Sequence, residues 1–363
     1  MMKDLNYFAV FRVDYLYYIP QFLPVAKEMQ ERGLNFLFIL PEKHKRDIIP
    51  VLDLAIKTCE EYNFKYRVGE DKNSYTTANY LISGSNTFPE TSIAYDKSVL
   101  IVHGVGTKSG YFTEEQNKYD IRFIEGEFRY NRIKELYPEY NGILENVGFS
   151  KLDEVFNLTN KEKDLLIKKL GLDCNKKTIL YAPTFYPSSI EKMSKKFPQE
   201  FSEYNIIIKP HYFSYLRSRY KKQRKRLEHW AEAKNVYVAG VNDYNLAPFF
   251  AIADIMISDE SSAIFEFAAL DKPVICNRFI NLRWTYKIFK SKLTKKFDSN
   301  MDQFRNIGEN VEAYKDLKTI VEQELINPKN KQRIRKEYTK QVIGPTDGKV
   351  SIRMIDIMER EAE

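Results

Sequence analysis

Short apolar runs alternate with amphipathic stretches from one end of the chain to the other, a rhythm that restricts it to α/β folds in which helices join parallel strands. In the first half, strands are expected near Tyr7–Val13, Asn35–Leu40, Tyr80–Ile82, Val99–Val102 and Ile121–Ile124, with helices near Pro20–Arg32, Ile48–Tyr62 and Arg129–Leu136. A strand and turn at Asn146–Ser150 lead away from this half. A charged helix over 160–170, closed by Gly171, opens the second half. Its strands are expected near Thr178–Ala182, Asn205–Lys209, Val236–Ala239, Ile255–Ser258 and Val274–Cys276, and the tail from Asn310 reads as helices interrupted at 343–349. At 363 residues the chain is too long for one ordinary domain and suits two. The expected division is a Rossmann-like domain over 1–155, a second over 156–340, and a helix at 341–363 that packs back on the first.

Composition narrows the class. Hydrophobic residues make up 43% and charged residues 29%, a globular balance, and no apolar run is long enough to span a membrane. The opening MMKDLNYFAVFRVDYLYYIP carries Asp4, Arg12 and Asp14 around a short apolar run, so it reads as a first strand and not a signal peptide, and a cytoplasmic protein is expected. Cys59, Cys174 and Cys276 are isolated and odd in number, which argues for buried thiols and against a disulfide framework or a metal-binding spacing. The positive excess of +7 concentrates in RSRYKKQRKR at 217–226, with Leu227 and Trp230 close behind. Read as one helix, this run could lie on an anionic membrane surface, with the aromatic residue as an anchor. No signature of a nucleic-acid-binding module accompanies it, so no nucleic-acid partner is expected.

Four motifs follow expected strands, where open α/β sheets bind their ligands. In ADIMISDESSAIFEFAALDKP at 253–273, Ser261 and Ser262 open a helix after the strand, where unpaired N–H groups favour an anion. Glu266 lies one turn on from Ser262, placed to take ribose hydroxyls, and Asp259 precedes the serines. In IVHGVGTKSG at 101–110, His103 is the first polar residue after a strand and is held among glycines. An imidazole there can accept a proton from an attacking hydroxyl. In YAPTF at 181–185 the Thr184 hydroxyl could line a base or phosphate pocket, and in KPH at 209–211 His211 can donate to a phosphate, with Lys209 a weaker candidate. Asn242 and Asp243 read as a helix cap. His44 and His229 lie in polar helical surroundings and carry no assignment.

HGVGTK, APT, KPH and the Asp259, Ser261, Ser262, Glu266, Pro273 pattern occur in the order found in the CDP-glycerol glycerophosphotransferase family of teichoic-acid polymerases and primases, which this chain resembles. It departs from the family pattern at Glu260, Glu266, Phe185, Tyr186 and the Pro-His order at 210–211. The resemblance implies a GT-B fold, two Rossmann-like domains with parallel sheets facing across a cleft. It implies transfer of an alditol phosphate from CDP-glycerol or a related CDP-alditol to a hydroxyl of a lipid-linked glycan or polymer, with release of CMP. His103 and His211 would be catalytic, the first as the base and the second meeting the negative charge that develops on the phosphate, while Lys108, Thr184, Lys209, Asp259, Ser261, Ser262 and Glu266 would hold the donor, Lys108 by helping to neutralise phosphate charge. Asp259 and Glu260 lack the spacing of a metal–diphosphate bridge, so neither a metal nor another cofactor is expected. The implied location is the inner face of the cell membrane, bound peripherally. Two other readings remain: a GT-B glycosyltransferase or epimerase with a UDP-sugar donor, which would use the same Ser-Ser, Glu and Pro spacing, and a non-catalytic module that docks on membrane or nucleic acid through 217–226, against which the intact His103 and Ser262 argue.

Overall fold

The computed structural model describes residues 5–42, 51–70, 76–106, 109–259, 261–281 and 299–362. The chain divides into two compact units, Met1–Glu154 with Lys340–Glu363, and Val155–Thr339.

Among the described residues the first unit carries seven strands: β1 (Leu5–Arg12), β2 (Phe36–Leu40), β3 (Tyr66–Val68), β4 (Thr76–Ser83), β5 (Ala94–Ile101), β6 (Ile121–Ile124) and β7 (Ile143–Asn146). All pair in parallel in the order β3-β2-β1-β4-β5-β6-β7. The order reverses between β1 and β4, which opens a crevice at the carboxyl ends of these strands. Strand β2 is buried along its whole length, as a parallel strand covered on both faces must be. The C-terminal helix Val350–Ala362 buries Val350, Met354, Ile355 and Met358 and packs against the helix Ile19–Glu31. Its start is held by Asp153, whose carboxylate accepts the Val350 and Ser351 N–H groups at 3.1 and 2.7 Å.

The second unit repeats the plan with β8 (Thr178–Ala182), β9 (Asn205–Ile208), β10 (Val236–Val238), β11 (Ile255–Ser258), β12 (Val274–Asn277) and β13 (Glu309–Val311), parallel in the order β10-β9-β8-β11-β12-β13. Its switch point lies between β8 and β11, where Ala182 pairs with Ser258. The core gathers Ile179, Tyr181, Phe197, Ile206, Leu227, Trp230 and Ile257.

Three expectations are corrected. The tail is not helical throughout, because Glu309–Val311 adds an edge strand to the second sheet. The basic run is not one helix: Ser218–Tyr220 forms a single 3-10 turn and the α-helix begins at Lys221. Trp230 and Leu227 belong to the core and do not face outward, so they cannot anchor a membrane contact. Arg217 stacks on Phe213 at 3.6 Å. Arg224 donates to the Tyr215 and Arg217 carbonyls at 3.0 and 2.9 Å, and Arg226 donates to the Met193 carbonyl. Arg219, Lys221, Lys222 and Lys225 remain exposed.

Candidate active site

In the first unit, β5 ends at Ile101 and the chain turns through His103, Gly104 and Gly106. The His103 Nδ1 lies 3.3 Å from the Gly84 carbonyl at the end of β4. A carbonyl can only accept, so Nδ1 carries the proton, and in the neutral ring the lone pair is left on Nε2. Gly84 is required there, since a Cβ would sit 2.9 Å from the Tyr18 ring. The imidazole packs against Tyr17, Tyr18 and Tyr111 with ring centroids 4.5, 5.2 and 6.0 Å away. Beneath the turn, the buried Arg129 donates to the Gly104 and Gly106 carbonyls at 3.1 and 3.3 Å and to Glu125 at 2.8 Å. Lys108 and His44 lie outside the described residues.

In the second unit, His211 follows β9 and is hydrogen-bonded in the opposite sense. Its Nδ1 accepts the Phe213 N–H at 3.2 Å, so the proton of the neutral ring is on Nε2, which is thereby a donor. Phe185 and Tyr212 flank the ring at 4.6 and 4.4 Å. Lys209 is half-buried, and its ammonium lies 3.4 Å from the Pro210 carbonyl. Thr184 donates its hydroxyl to the Pro187 carbonyl and its N–H to Asp259 at 3.1 Å.

Asp259 leaves β11 fully buried and faces the loop that follows β8. It accepts from the Thr184 N–H, from the Ser189 N–H at 3.2 Å and from the Ser189 hydroxyl. That hydroxyl has one proton and gives it to Asp259, so it must accept from Tyr181 at 2.7 Å and from the Asn277 amide at 3.1 Å. The Ser189 hydroxyl thus joins the carboxyl ends of β8, β11 and β12. Burial pushes the Asp259 carboxyl up to about 6, against the opposing pull of Ser189 and the Thr184 N–H. The helix after Ser262 runs only from Ala263 to Ala268. Ser262 is itself helical, at φ −62° and ψ −22°, and makes no capping bond. The Ser261 Oγ accepts the Ala263 N–H at 3.3 Å instead, so of the two serines expected to open the helix only Ser261 bonds its first turn. Glu266 lies on this helix and is only 5% exposed. Asp243 is likewise no helix cap: it accepts the Gly240 N–H at 2.7 Å and closes a turn, and the next helix begins at Ala247.

The structure therefore brings Thr184 and Asp259 into direct contact, with Ser261 two residues beyond Asp259 in the chain. Sequence reasoning missed Ser189 and Asn277, which no motif marks, and Arg129 with Glu125. The last pair had a legible signal, opposite charges at i and i+4 directly after a strand. Among the described residues, no three His, Cys, Asp or Glu side chains converge as a metal site.

Two all-parallel sheets of Rossmann order, with motif residues at the carboxyl ends of their strands, define a GT-B-like α/β protein. The wall teichoic acid polymerase TagF has the same fold, with a TM-score of 0.65 and 18% identity over 98% of this chain and 88% of that structure. The family model of CDP-Glycerol:Poly(glycerophosphate) glycerophosphotransferase matches residues 88–360, and the chain belongs to that family. A teichoic acid glycerol-phosphate primase of Bacillus spizizenii is 28% identical over 45% of this chain and 41% of the relative. A teichoic acid poly(glycerol phosphate) polymerase of the same species is 27% identical over 52% and 48%. The matched stretch thus spans less than half the length of either relative.

Proposed function

We propose that this protein transfers glycerol phosphate, or a related alditol phosphate, from a CDP-linked donor to a hydroxyl of a lipid-linked glycan or polymer. The acceptor oxygen attacks the β-phosphorus of the donor and gives its proton to the Nε2 of His103. The bond from that phosphorus to the bridging oxygen breaks, and CMP leaves with the electron pair. His211 donates its Nε2–H to a phosphate oxygen, Ser261 and Ser262 bind the diphosphate, and Glu266 binds the ribose. Lys108 and Lys209 add positive charge. Phosphoryl transfer needs little more from a protein than positioning and charge stabilisation. Thr184 and Asp259 act on the donor indirectly, by holding the loop after β8. The observation that carries the reading is the opposite hydrogen bonding of the two motif histidines, one left with a basic Nε2 and the other with a donor Nε2.

Lipid-linked acceptors bring the enzyme to the inner face of the membrane, and Arg219, Lys221, Lys222 and Lys225 supply the exposed charge for anionic headgroups. A thermal-shift panel of CDP-glycerol, CDP-ribitol, CMP, UDP-GlcNAc and UDP tests the donor, since a ligand that binds only the folded state raises the melting temperature. Stabilisation by the cytidine ligands alone is expected. Stabilisation by the uridine ligands alone would replace this reading with that of a UDP-sugar enzyme.

A further inference from the structure

Arg129 is fully buried with Glu125, at 2% side-chain exposure for both. A buried ion pair contributes little net stability, because desolvating the two charges offsets their attraction. Its placement is more informative. Glu125 follows β6 directly and Arg129 stands in the first turn of the helix Gly126–Leu136, yet the guanidinium reaches across to the turn that carries His103. There it donates to two carbonyls, of Gly104 and Gly106, and lies over the Tyr111 ring at 4.4 Å. Gly106, at φ +123°, adopts a conformation closed to other residues and allows the turn to present both carbonyls to one group. The Tyr111 hydroxyl fills the space beside Gly104, where a Cβ would lie 2.2 Å from it. The backbone that follows His103 is thus clamped from below by a planar cation and from the side by a ring.

We propose that Arg129 is a positioning residue for the transfer reaction, fixing the 103–106 turn so that His103 keeps its Nδ1–H on the Gly84 carbonyl and its Nε2 lone pair toward the acceptor. This rests on the reading of His103 as the base. An ammonium cannot replace the guanidinium, because it lacks the fork that serves two carbonyls and a carboxylate at once.

The test uses Arg129→Lys, which keeps the charge opposite Glu125, and the double substitution Glu125→Gln with Arg129→Met, which removes both buried charges and so avoids stranding one. With only four histidines in the chain, selective 15N labelling of the imidazoles resolves His103. The wild type is expected to show His103 as the Nδ1–H tautomer, and both variants a mixture of tautomers. Turnover is expected to fall roughly 10- to 100-fold in both, with the KM for CDP-glycerol within about twofold. Unchanged His103 signals in both variants would overturn the proposal, as would an Nε2–H tautomer in the wild type. The tautomer is read without turnover, so an inactive wild type or a harmless His103→Ala would sink the base assignment while leaving the positioning claim separately decided.

Discussion

His103 and His211 each stand just beyond the carboxyl end of a strand in a parallel sheet, His103 after the fifth strand of its unit and His211 after the second strand of its own, and their Nδ1 atoms are hydrogen-bonded in opposite senses. His103 donates its Nδ1–H to a carbonyl, and His211 accepts an amide N–H at the same atom. The side chain is identical; the backbone group facing Nδ1 decides whether Nε2 is a base or a donor. A motif records that a histidine is present. The partner that sets its tautomer lies outside the motif, Gly84 just beyond the preceding strand for one and Phe213 two residues on for the other.

Deletion of each ring should separate the two histidines most visibly. His103→Ala is expected to lower turnover by roughly 10²–10⁴ with the affinity for CMP unchanged, whereas His211→Ala should weaken donor binding as well as turnover. Equal loss of CMP binding in both variants, measured by calorimetry, would erase the distinction. A smaller effect concerns the loop held by Asp259. The folded state binds the Asp259 proton more tightly than the unfolded chain does. The stability it contributes is therefore full below the ordinary carboxyl range and is lost as pH rises through about 6. Asp259→Asn lacks this ionisation, so the stability difference between wild type and variant should change by about 3 kcal/mol from pH 3 to pH 8, each tenfold difference in proton affinity being worth about 1.4 kcal/mol. Urea unfolding at several pH values measures it, and parallel curves would show that the carboxyl titrates normally. The smallest effect is on the surface of the second unit. Replacing Arg219, Lys221, Lys222 and Lys225 with Gln should weaken co-sedimentation with anionic vesicles, at about 1 kcal/mol per charge, and leave turnover on a soluble acceptor untouched. Undiminished vesicle binding would mark this face as merely solvated.

The interior strands were legible in the sequence because parallel strands buried on both faces read as apolar runs, as in Thr178–Ala182 and Ile255–Ser258. The edges were less so. Tyr66–Val68 and Glu309–Val311 are three residues long and partly exposed, and Glu-Asn-Val carries almost no strand signal. The seven cations at 217–226 suggested one exposed face, but a charge count does not reveal that Arg217, Arg224 and Arg226 turn onto a ring and backbone carbonyls of their own unit. At the site, the motif residues themselves were visible while their supports were not. Ser189, Asn277 and Gly84 owe their roles to hydrogen bonds between segments far apart in sequence, and no local pattern encodes those.

In the proposed reaction CMP is released from a CDP-alditol as the alditol phosphate is transferred. Its most direct test is CMP release from CDP-glycerol with a glycerol-phosphate-primed lipid analogue, run beside UDP release from UDP-GlcNAc with the same preparation. Acceptor-dependent CMP release, lowered by roughly 10²–10⁴ in His103→Ala and without UDP release, is the expected result. Turnover of the UDP-sugar alone would contradict it.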